Sequence, residues 1–154
     1  MIYVECKTET ALVKSLVRVP RREIIHEIKG KAGVCEKLEK HEDCKGLVDE
    51  DPQSAQPPYI RKLTLEDDFP QGELKVLCDE SKGNRLIVLC PKFEDWILKA
   101  AREAKVDVRK YGLPDDPDEL HKVINLNLVK LEKLLEGLKD SDRIKALRKL
   151  LLSQ

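Results

Sequence analysis

The feature that most constrains this chain is an alternation at its N-terminal end, where short β-rich runs are separated by stretches of helical periodicity. Ile2 to Cys6 is an apolar, β-rich run that ends at polar Lys7-Thr8, and Glu9 to Arg18 then carries Leu12, Val13, Leu16 and Val17 at helical spacing. Pro20 breaks that helix, Glu23 to Ile28 reads as a second strand, and Gly30 ends it before a helical stretch that buries Val34, Cys35 and Leu38. Leu47 and Val48 make a third strand, which runs into Asp49-Glu50-Asp51-Pro52. Strands alternating with helices pair in parallel through right-handed crossovers. The pattern therefore predicts an α/β fold with a compact, mainly parallel sheet and helices on both faces.

Downstream the pattern loosens. Gln53 to Pro70 reads as an irregular segment with Pro57-Pro58 and an acidic Glu66-Asp67-Asp68 cluster. Glu73 to Cys78 and Arg85 to Cys90 are further strands, joined by turn residues that suit either a hairpin or a short crossover. Pro91 opens a helix with Phe93, Trp96, Ile97, Ala100 and Ala101 along one stripe. The remainder is Leu-rich. Asp116-Pro117-Asp118-Glu119 is a helix start, the apolar side running from Leu120 to Leu138, and Ser141 with Asp142 begins a last helix through Leu152. The expected organisation is an α/β domain over residues 1–112 and a C-terminal helical extension over 113–154, packed on or beside it. Those helices cover the parent domain by default, and pairing them in a homodimer or on a protein partner is the alternative.

Charge and cysteine content narrow the function classes. Twenty-nine basic residues balance twenty-nine acidic ones, so no global field draws the protein to nucleic acid or to an anionic membrane, and such contact must be local. No apolar run approaches a membrane span and the N-terminus lacks a secretory pattern, which leads to the expectation of a soluble, cytoplasmic protein. Five cysteines without C-x-x-C spacing read as reduced, mostly buried thiols rather than disulfides or a zinc site.

In an open parallel sheet, function gathers at the carboxyl ends of the strands. Glu5 stands at that end of the first strand, and Asp49 and Asp51 at that end of the third. Side chains alternate along an extended chain, so Asp49 and Asp51 are expected to point one way and Glu50 the other. Carboxylates crowded together raise one another's pKa and are relieved by a hard divalent cation. Magnesium (or manganese) bound there polarises a phosphate, while a carboxylate outside its shell moves a proton. Glu9, Lys31 and Glu94 are accessory candidates, each at a helix start.

These residues resemble the Toprim domain of topoisomerases, primases and nucleases of the overcoming-lysogenization-defect type. The resemblance rests on Glu5 in Val4-Glu5-Cys6-Lys7-Thr8-Glu9 and on the pair in Leu47-Val48-Asp49-Glu50-Asp51, with similarity to small Toprim-like proteins of bacterial defence systems around Gly30-Lys31 and around Pro91 to Trp96. It covers residues 1–105. It implies Glu5 as general acid/base, Asp49 and Asp51 as magnesium ligands, and phosphoryl transfer or phosphodiester cleavage on nucleic acid or another phosphate-containing substrate. A non-catalytic Toprim-like scaffold, dimerising or binding a partner through its C-terminal helices, is the competing expectation.

Overall fold

The computed structural model describes residues 1–18, 20–26, 30–69 and 73–153. The chain forms two compact units, one of Met1–Thr10 and Pro20–Phe93, the other of Ala11–Val19 and Glu94–Gln154.

The first unit is built on a six-stranded sheet of order β2-β1-β3-β6-β5-β4. Its strands are β1 (Ile2–Val4), β2 (Ile24–His26), β3 (Lys45–Asp49), β4 (Thr64–Asp68), β5 (Leu74–Asp79) and β6 (Asn84–Leu89). The last two residues of the predicted second strand, 27 and 28, lie outside the described residues, as does Pro70. β1 pairs in parallel with β2 and β3, and β3 in parallel with β6. β5 is antiparallel to both β6 and β4.

The sheet is thus mixed, and the expectation of a mainly parallel one is corrected. The reason is chain length. A parallel connection needs a dozen or more residues, whereas only residues 80–83 separate β5 from β6. That turn closes through Gly83 at φ +70°, with its N–H donated to the Asp79 carbonyl at 2.8 Å, and Asp79 sits opposite Asn84 as in a hairpin. β4 lies within the segment read as irregular. Its Thr-Leu-Glu-Asp-Asp sequence has no buried face to betray a strand, and all but its last residue are exposed. Its acidity suits an edge strand, which has to avoid pairing with other chains.

Helix α2 (Gly30–Lys40) packs on β1 and β3. Gly46 permits that approach, since a Cβ there would come within 2.8 Å of Val34 and 2.9 Å of Leu86. Tyr3, Val34, Leu38, Val48, Leu86 and Val88 form the core on this face. Buried Asn84 ties the end of α2 to the sheet: its amide donates to the Leu38 and His41 carbonyls at 2.7 and 2.8 Å, and its Oδ1 accepts from the Cys44 N–H at 2.9 Å. Removing those partners would leave buried backbone groups unsatisfied.

Helix α1 (Lys7–Leu16) starts two residues earlier than its apolar periodicity alone suggests, because the Cys6 carbonyl accepts both the Thr10 N–H and the Thr10 hydroxyl at 3.0 Å. The second unit contains most of α3 (Phe93–Glu103), then α4 (Pro117–Leu126), α5 (Leu128–Gly137) and α6 (Asp142–Leu152). Asp116, Asn127 and Ser141 each cap the helix that follows, accepting the N–H of Glu119, Lys130 and Ile144. The Asn127 cap divides what reads in sequence as one helix from Leu120 to Leu138. Leu120, Ile124, Leu131, Leu134, Leu135 and Leu147 are buried. Among the described residues no helix is long and apolar enough to cross a membrane.

Candidate metal centre

Because β1 and β3 run in parallel with Val4 opposite Leu47, Glu5 leaves the sheet at the rim that Asp49 reaches. The Asp49 backbone N–H donates to Glu5 Oε2 at 3.1 Å. Glu9 arrives from the first turn of α1, and one carboxylate oxygen from each of Glu5, Glu9 and Asp49 lies within 4.8 Å of the others. Glu9 is buried, and the other two are half-buried. The strand-to-helix junction allows this convergence: with helix α1 starting at Lys7, the chain turns at once and returns a side chain four residues beyond Glu5 to the same rim.

Electrostatics follow from that crowding. Burial, and next the charge of Asp49, push the Glu5 carboxyl up to about 8. Burial also raises Glu9, to about 7, although a hydrogen bond from the Cys6 thiol opposes the shift. Cys6 and the Thr8 hydroxyl, the latter at 3.0 Å, both donate to Glu9 Oε2. Burial and the Glu9 charge hold the Cys6 thiol near 12, so it serves as a protonated donor. Asp49 Oδ2 accepts the N–H of Phe93, the first residue of α3, at 3.4 Å. Gly30 opens α2 with φ +66°, and its Cβ position is 3.8 Å from Glu5 Cγ, so a second helix start adjoins the acids. Positive helix ends favour the ionised carboxylates.

An all-oxygen donor set of this kind suits a hard divalent cation in preference to a soft metal. The cluster is therefore capable of coordinating a metal ion.

Asp51 stands outside this group. β3 ends at Asp49, and Asp51 adopts a left-handed backbone with φ +41°, so the alternation that aligned it with Asp49 no longer applies. Its N–H bonds to the Pro91 carbonyl at 2.7 Å, and its carboxylate lies 4.0 Å from Lys92 Nζ. Lys31 is buried, donating to the Glu50 carbonyl at 2.5 Å and to Gln56 Oε1 at 3.2 Å. It holds the loop after Asp49 instead of extending into solvent. Glu94 belongs to the second unit, where its buried carboxylate meets His121 Nδ1 at 2.7 Å.

Gln56 and Lys75 went unread in the sequence. The Gln56 amide donates to the carbonyls of Glu50, Asp51 and Ser54, and Lys75 pairs with the Glu50 carboxylate at 3.2 Å. Neither residue carries a local signal. The role of Glu9 did leave one, the four-residue spacing from Glu5 across a strand-to-helix junction.

In comparisons with known proteins the chain matches no family model, no curated protein and no solved structure.

Proposed function

We propose that the first unit is a divalent-cation-dependent phosphoryl-transfer or phosphodiester-cleaving domain of Toprim type that acts on nucleic acid. One observation carries this reading: three carboxylates from separate segments share a space within 4.8 Å at the carboxyl rim of parallel strands. In this reading Asp49 and Glu9 hold magnesium or manganese, which polarises a phosphate oxygen. Glu5, the third carboxylate of the cluster, exchanges a proton with the attacking water or the leaving oxygen. With its charges balanced the chain has no global field to draw nucleic acid, so in this reading affinity rests on the cation and a few local side chains.

Calorimetric titration of manganese tests the assignment. Asp49→Asn abolishes binding while thermal unfolding stays cooperative, and Asp51→Asn costs far less because Asp51 lies apart from the cluster. Manganese affinity in Asp49→Asn equal to that of the parent chain rejects the metal centre. Cleavage of end-labelled single- and double-stranded DNA and RNA in manganese, lost in Glu5→Gln, then assigns the chemistry.

One feature favours a second reading, assembly of two copies through the C-terminal helices. Leu126 is 90% exposed and Val129 56% exposed, on either side of the Asn127 cap. Sedimentation of the full chain reads this directly: a dimer that Leu126→Lys with Val129→Lys converts to monomer supports it, and a monomeric parent chain removes it.

A further inference from the structure

Glu9 is only 2% exposed, and its Oε2 accepts both the Cys6 thiol and the Thr8 hydroxyl, the latter at 3.0 Å. A carboxylate oxygen has two lone-pair sites, so two donors fill it. Both of these bonds fall on Oε2, and no other residue among the described ones donates to Oε1. Glu9 can therefore offer a cation one oxygen and not two. Thr8 is itself buried, and its hydroxyl lies 2.9 Å from the Cys6 sulfur, so the three side chains hold one another in place.

The other two acids are restricted in the same sense, with one donor each. Glu5 Oε2 accepts the Asp49 N–H at 3.1 Å, and Asp49 Oδ2 accepts the Phe93 N–H at 3.4 Å. These donors are backbone groups, which cannot swing aside as an exposed side chain does. Each carboxylate of the cluster thus has one oxygen engaged by the protein. Divalent cations differ in what they ask of carboxylates. Calcium takes roughly six to eight oxygens at about 2.3–2.6 Å, often from carboxylates that chelate with both oxygens. Magnesium demands an octahedron at about 2.0–2.1 Å, keeps several waters and is commonly held by one or two carboxylates.

We propose that Cys6 and Thr8 are positioning residues that confine Glu9 to single-oxygen coordination, so that the centre takes a small octahedral cation and discriminates against calcium. This rests on the metal reading of the acidic cluster and adds its selectivity. Single oxygens from Glu9 and Asp49 leave most of an octahedral shell to water and phosphate oxygens, which suits magnesium, whereas they leave calcium short of ligands.

The test is competition calorimetry on the full chain, with magnesium and calcium each titrated as displacers of bound manganese. The parent chain prefers magnesium to calcium. Cys6→Ala with Thr8→Val frees Oε2 for chelation, and the preference narrows about tenfold, the scale of a hydrogen bond to a charged group. Cys6→Ser with Thr8→Ser keeps a hydroxyl donor at both positions and retains the parent's preference. Loss of structure alone weakens both ions alike, so an unchanged ratio in Cys6→Ala with Thr8→Val overturns the proposal. If that variant fails to show a thermal transition, the parent chain decides: calcium binding as tightly as magnesium, or tighter, overturns the proposal as well. Manganese binding without a preference for magnesium over calcium rejects the selectivity and leaves the metal centre standing. Binding of none of the three ions rejects the metal centre, and the selectivity with it.

Discussion

At the rim of β1 and β3, Glu5, Glu9 and Asp49 come from three segments into one sheltered space, whereas Glu66, Asp67 and Asp68 follow one another along β4 at the sheet's edge. By sequence the second group is the denser. By structure it is the less consequential, because Glu66 and Asp67 face water, where Glu66 meets Arg85 at 3.0 Å and Asp67 Oδ1 accepts the N–H of Asp68. Exposed charges are weakened by water and screened by salt over about 10 Å, while buried ones shift one another's protonation. What makes acids a candidate cation site is the shelter that prevents water from separating them.

Neutralising each group in turn should produce the largest contrast. Glu9→Gln removes manganese binding as measured by calorimetry, and the double substitution Glu66→Gln with Asp67→Asn leaves it unchanged. Equal losses in the two variants would mean that the cation is held by the overall field and not by the cluster.

An intermediate effect is expected from pH. Glu5 and Glu9, raised from 4.5 to about 8 and about 7, bind protons more tightly when folded than when unfolded. Their contribution to stability is complete below about 4.5 and is given up as pH rises through those folded values. In EDTA the denaturant midpoint should therefore fall between pH 5 and pH 8, and Glu5→Gln should flatten that slope; added manganese should restore stability at the alkaline end. Removing the β4 acids leaves the slope as it is. A parent midpoint that holds steady or climbs over the same interval contradicts the crowding.

Smallest is the edge itself. The Arg85–Glu66 pair is partly exposed on both sides, and Glu66→Gln should cost at most about 0.2–1 kcal/mol in urea unfolding. A larger loss would show that β4 is held by that pair more than by its ladder to β5.

The strand-helix-strand order of the first half was readable because each element declares itself locally. Leu12, Val13 and Leu16 lie at helical spacing, Pro20 interrupts, and Asp116-Pro117 caps and opens α4. β4 was not readable, since an edge strand of Thr-Leu-Glu-Asp-Asp has no buried face to impose a period of two. The meeting of Glu5 with Asp49 could be anticipated from the parallel reading of β1 and β3, but the place of Asp51 could not. One residue at φ +41° turns it away, and no pattern in Asp49-Glu50-Asp51-Pro52 announces that angle.

By itself, then, the amino-acid sequence determined the order β1, α1, β2, α2, β3 and the two acids at the ends of β1 and β3, because periodicity, caps and breakers act over a few neighbouring residues. The tertiary structure alone decided that β5 and β4 close the sheet in antiparallel fashion, that Asp51 stands apart from the acids, and that Lys31 lies buried against the loop after Asp49. Each of those depends on residues far apart in the chain and on the exact point where one strand stops, a matter of long-range packing and single backbone angles.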